Sequence, residues 1–149
     1  MTRTTGKSAG RRALLLVGAA GILAACATMS PMMGGQKLEL SGANEVPAVT
    51  TTATGTATVD IKADRSLTAT VTVSGMTPTA SHIHEAAAGA NGPVIVPFVK
   101  TGDFTFTAGP EAKLTEAQYE SYKAGKLYVN VHSAKNPGGE VRAQLKGNL

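Results

Sequence analysis

The chain has 149 residues, 42% of them hydrophobic, with three histidines, one cysteine, no tryptophan and a formal net charge of +4. Four of its 14 basic residues (Arg3, Lys7, Arg11 and Arg12) precede Cys26, and the ten that follow are matched by ten acidic residues. A balanced domain lacks the clustered cationic surface that phosphate backbones require, which excludes nucleic acid as a partner, and a lone cysteine excludes an internal disulfide or a thiolate metal cluster.

Residues 1–25 read as an export signal. A basic leader is followed by the apolar stretch Ala13 to Ala24, too short to span a bilayer. The segment Leu23-Ala24-Ala25-Cys26 resembles a bacterial lipobox. The resemblance implies cleavage before Cys26, lipidation of that cysteine, and a membrane held through the lipid anchor. Arg11-Arg12-Ala13-Leu14-Leu15 is a weaker likeness to a twin-arginine signal. The expected location is the cell envelope, outside the cytoplasm. Ala27 resembles the outer-membrane sorting pattern, should the cell have two membranes. Residues 26–36 then form a flexible tether, which at about 3.5 Å per residue reaches at most roughly 35 Å from the bilayer. Several acyl chains would make the anchoring stable where one alone is marginal.

From residue 37 to 149 the pattern is that of one β domain, and roughly 110 residues suffice for a single core but not two. Lys37-Leu38-Glu39-Leu40 alternates before Ser41 to Pro47 interrupts it. Thr54 to Lys62 and Leu67 to Ser74 are rich in Thr and Val with period two, joined by the turn residues Ala63-Asp64-Arg65-Ser66, a hairpin by pattern and turn chemistry. Thr79 to Glu85, Val94 to Lys100, Asp103 to Thr107, Leu127 to Ser133 and Glu140 to Leu145 complete about eight strands. Short strands separated by Gly and Pro predict an all-β Greek-key sandwich or barrel of antiparallel strands. One short crossover helix is predicted after Thr115, where Thr115-Glu116-Ala117-Gln118 forms a capping box. Gly125 is placed to end it in a left-handed conformation, and Leu114, Tyr119 and Tyr122 are its packing residues.

All three histidines fall in two of those strands, in Ser81-His82-Ile83-His84 and in Tyr128-Val129-Asn130-Val131-His132. Side chains alternate across a strand. With Ile83, Leu127, Val129 and Val131 in the core, His82, His84 and His132 share the outer, wetter face with Tyr128 and Asn130. If the two strands are neighbours, the imidazoles converge. Strand spacing of about 4.8 Å lets rings from such positions reach one ion with bonds near 2.0–2.1 Å. Neutral imidazole outside the cytoplasm suits copper first and zinc second. Glu140 and Arg142 share a face of the last strand, so Glu140 is a candidate to orient an imidazole from behind, with Arg142 and Asn130 beside it. The alternative is a closed hydrogen-bond network of the histidines and Asn130 that stabilises loop ends.

Three segments together resemble the CHRD domain, named for its occurrence in chordin and found in bacterial exported proteins. They are Leu40 to Pro47; His82-Ile83-His84 with Gly92-Pro93-Val94; and Leu127 to His132 running into Asn136-Pro137-Gly138-Gly139-Glu140-Val141-Arg142. Glu85 departs from the small residue often found there in the family. The resemblance implies a fold and a module rather than a reaction. A fainter likeness is to copper-zinc superoxide dismutase, whose copper site also uses a His-x-His strand, and whose substrate-guiding arginine Arg142 loosely resembles. No histidine remains here for a fourth copper ligand, a bridging ligand or a zinc loop.

The remaining motifs point to no reaction. Asn91-Gly92-Pro93 and Ser133 to Gly139 read as turns, and the Gly-rich stretches lack the strand-then-helix context of a phosphate loop. Glu45 reads as part of a bend, and no catalytic residues are assigned. The expected function is therefore a lipid-anchored, non-catalytic envelope module that binds an unidentified envelope protein or ligand. It carries a candidate copper or zinc site at His82, His84 and His132. The rival is a copper-dependent redox enzyme, which needs an open coordination position near Arg142.

Overall fold

The computed structural model describes residues 1–2 and 35–147. Nearly all of the export signal, Cys26 and nearly all of the tether lie outside the described residues. The strands are β1 (Gln36–Ser41), β2 (Thr54–Ile61), β3 (Leu67–Ser74), β4 (Pro78–Glu85), β5 (Val94–Lys100), β6 (Thr105–Ala108), β7 (Leu127–Ser133) and β8 (Val141–Gln144), with the helix α1 (Glu116–Lys123) between β6 and β7. They close into a barrel in the order β1-β2-β3-β6-β5-β4-β7-β8. Every pairing is antiparallel. Of the two expected architectures the chain takes the barrel, and the Greek key lies in the β3-to-β4 and β6-to-β7 connections, each of which passes two strands. Closure leaves no unpaired strand edge in the sheet.

Alternation does most of the building. In β3 every second residue, Leu67, Ala69, Val71 and Val73, is buried, and the intervening Thr and Ser side chains face solvent. The β2–β3 turn closes as its residue types predict: Asp64 Oδ1 accepts from the Ser66 N–H at 3.0 Å and from its hydroxyl at 2.6 Å. β1 opens one residue before the predicted boundary. Gln36, assigned to the tether by pattern, is already paired with Val59. Its side chain donates to the Tyr122 hydroxyl (2.9 Å) and the Lys146 carbonyl (2.7 Å) and accepts from the Lys146 N–H (2.9 Å). β6 starts at Thr105 rather than Asp103 because Gly102 and Thr105 bond to each other as a turn.

The helix follows its sequence signals. The Gln118 N–H donates to Thr115 Oγ1 (3.2 Å), and the Thr115 N–H donates to Gln118 Oε1 (2.8 Å). Gly125 stops it at φ +68°, while the N–H groups of Gly125 and Lys126 donate to the carbonyls of Tyr122 and Ser121. Leu114 and Tyr122 are buried, and Tyr119 packs against the core from its edge. Thr115→Ala removes one side of the box, and chemical denaturation should show a loss of about 1 kcal/mol.

Candidate metal centre

The strands carrying the histidines are neighbours. β4 and β7 pair so that His84 lies opposite Tyr128, His82 opposite Asn130 and Ala80 opposite His132. Ile83, Leu127, Val129 and Val131 are wholly buried in the barrel, which turns the alternate residues outward. One nitrogen from each of His82, His84 and His132 lies within 4.8 Å of the others. The ring centroids form a triangle with sides of 4.9, 5.5 and 5.7 Å. A bulge in the β4–β5 pairing between Ile83 and His84 gives β5 an extra residue beside His84, a device that often re-aims side chains next to sites.

The outer face is not the wet surface that alternation alone predicts. His84, Asn130 and Arg142 are buried, Tyr128 is 2% exposed, and His82 and His132 are partly covered. The roof is made of turns: the Ala86–Pro93 loop, the segment around Glu45 and the β7–β8 turn. Alternation decides only which side of the sheet a residue takes, and what then lies over that side depends on distant connections.

Two of the rings are fixed by backbone carbonyls. His84 Nδ1 lies 3.0 Å from the Gly92 carbonyl oxygen and His132 Nδ1 lies 3.0 Å from that of Pro137. A carbonyl only accepts, so both rings carry their proton on Nδ1 and present a bare Nε2 lone pair. His84 Nε2 is buried and meets no partner. His132 Nε2 lies 3.0 Å from His82 Nδ1, so His82 donates and one proton occupies the space between them. Burial favours the neutral ring in all three. It lowers the pKa of His82, with help from the other two histidines, to about 4, and lowers those of His84 and His132 as well. The cluster therefore offers neutral nitrogen donors at neutral pH. Two nitrogens on one tetrahedral ion stand about 3.3 Å apart for bonds of 2.0–2.1 Å. The His82 Nδ1–His132 Nε2 pair is already near that value, and an ion held there would require the shared proton to leave His82 Nδ1 for its Nε2 or for solvent. An orphaned nitrogen, two locked tautomers and donors of one chemical kind fit a divalent transition metal.

The predicted supporting residues sit elsewhere. Glu140 follows the turn at Gly139, and its carboxylate accepts from the Thr51 hydroxyl at 2.7 Å and from the Ser133 hydroxyl, touching no imidazole. Burial alone would raise its pKa, but those bonds outweigh it and the net shift is downward. Asn130 donates to Glu45 Oε2 at 3.3 Å. Arg142 stacks on Tyr128, its guanidinium carbon 3.4 Å from the ring centroid. The orienting role assigned to Glu140 is thus filled by the carbonyls of Gly92 and Pro137, which lie in segments the sequence marks only as turns. Gly92 carried the available signal, since a Cβ at that position would overlap the Glu85 carbonyl oxygen.

Glu45 is also more than a bend. It is 6% exposed, its Oε1 has no partner, and burial pushes its pKa up to about 7 against the opposing pull of Arg142 and Asn130.

The chain is thus a closed antiparallel barrel of the all-β class with a three-imidazole cluster roofed by its own turns. Residues 37–145 match the CHRD domain, and the chain belongs to that family. No curated protein and no solved structure matches it.

Proposed function

We propose that this protein is an exported CHRD module, lipidated at Cys26, that holds one divalent transition metal ion, copper before zinc, through His82, His84 and His132. The observation that carries the reading is the buried, unpartnered Nε2 of His84 in a group of three imidazoles that each offer a nitrogen within 4.8 Å of the others. Leaving a ring nitrogen desolvated without a partner costs about 1–3 kcal/mol, and coordination would recover it. A merely structural network would satisfy that atom. Three neutral ligands leave a four-coordinate ion one open position, which suits exchange or delivery of the metal, or capture of a further ligand. The module then serves as a binding protein of the envelope, and Val99 and Phe104, 55% and 50% exposed, are apolar groups a partner would cover.

Calorimetry on the chelator-treated protein tests the metal reading: one Cu(II) per chain with sub-micromolar affinity is expected, and binding no tighter than micromolar would refute it. The anchor has a separate test. Cys26→Ser should move the protein from the membrane fraction to the soluble fraction and, by mass spectrometry, abolish the acylated form. An unmodified Cys26 in wild-type protein would refute lipidation while leaving the metal site untouched.

A further inference from the structure

Gly92 meets His84 because the Ala86–Pro93 loop folds back over the outer face of β4 and β7, where three side chains tie it down. Gln144 Nε2 donates to the Ala86 carbonyl at 3.0 Å. Arg142 donates to the Ala90 carbonyl at 2.8 Å and to Asn91 Oδ1 at 3.2 Å. The Tyr128 hydroxyl accepts the Gly92 N–H at 3.1 Å.

Tyr128 also holds His84 directly. Their rings stack with centroids 4.9 Å apart and planes 10° from parallel, and Arg142 lies over the Tyr128 ring at 3.4 Å. The two groups of Gly92 therefore serve one ring. Its carbonyl fixes the proton of His84 on Nδ1, and its N–H is anchored by the tyrosine stacked on that ring.

We propose that Tyr128 and the Gly92 peptide form a latch that sets the tautomer and aim of His84, which makes Tyr128 a positioning residue for what His84 binds. For a metal as the bound species, the inference rests on the three-imidazole reading above. Without the hydroxyl, the Gly92 N–H loses its acceptor and the loop loosens. The carbonyl then no longer selects Nδ1–H, and a proton on Nε2 removes the lone pair that is free in the wild type.

Tyr128→Phe keeps the ring and removes only the latch. In metal-free protein, long-range proton–nitrogen NMR should show His84 wholly as the Nδ1–H tautomer in the wild type and as a mixture in the variant. With Cu(II) added, affinity should fall about tenfold, the lower end of what losing an outer-shell partner costs, and the electron paramagnetic resonance spectrum should change. Because the latch acts through His84, Tyr128→Phe should cost nothing further in a His84→Ala background. Tyr122→Phe, which loses the bond to Gln36, should leave both readouts at wild-type values. Arg142→Lys, which removes the guanidinium bonds to the same loop and leaves the Tyr128 hydroxyl in place, should shift the tautomer in the same direction and gives the readout should Tyr128→Phe fold poorly. An unchanged tautomer in both loop variants, or a loss that adds in full to that of His84→Ala, would overturn the latch. A wild type with locked His84 that takes up no copper would sink the metal reading and leave the latch standing.

Discussion

Replacing His84 with alanine should weaken copper binding by at least about 100-fold, beyond the usual cost of an outer-shell change. The variant loses the one imidazole nitrogen that is buried and unpartnered among the described residues. A second readout is thermodynamic. Free metal at 100 times its Kd stabilises a folded protein by about 2.7 kcal/mol when it binds only the native state. The wild type should show that gain in denaturation curves with copper present, and His84→Ala at the same metal concentration should gain no more than about 0.4 kcal/mol. His82→Ala and His132→Ala should behave alike, because both rings flank the same space, their facing nitrogens 3.0 Å apart. Retention of wild-type affinity by any of the three would remove that residue from the site.

The second large effect concerns Glu45 and pH. Its carboxyl titrates near 7 in the fold against 4.5 as the ordinary value. The native state therefore keeps a proton that the unfolded chain has already released, and stability falls as pH rises from 4.5 to 7, then levels off. The full difference is on the order of 3 kcal/mol. The three clustered histidines work in the opposite sense. Their lowered values mean that protonation favours unfolding, so their contribution is present above pH 6.5 and is lost as pH falls. The two trends offset each other in the wild type, which makes the variant the informative measurement. Glu45→Gln keeps the shape without the charge. Measured with a chelator present, it should match the wild type near pH 4.5 and exceed it by up to about 3 kcal/mol at pH 8. A stability difference that stays constant from pH 5 to 8 would show that the carboxyl does not titrate in this range.

Much of the fold could be read from residue order because two local rules dominate it. Period-two alternation marks β2, β3 and β7 almost residue by residue, and the helix is bounded by a capping box and a glycine whose chemistry is local. The meeting of the imidazoles needed one further step, that β4 and β7 are neighbours. Alternation supplied the shared face, and barrel order supplied the rest. The roof could not be read in the same way. The groups that fix His84 and His132 are main-chain carbonyls, which every residue possesses and no sequence pattern distinguishes. Glu140 was misdirected because the glycine before it turns the chain, so that its carboxylate meets Thr51 and Ser133. Glu45 was passed over because it lies in an aperiodic stretch, and its burial is set by Asn130 and Gly139, some 85 and 94 positions away in the chain.

The clasp of Gln36 on Lys146 and Tyr122 has a use of its own. It holds the entry and exit of the barrel within hydrogen-bonding distance of each other, so a few residues could join them and new ends could be cut at the Asp64–Arg65 bend. Such a rearranged chain would keep its ring cluster intact, and the position of any fused anchor or reporter could then be chosen at will.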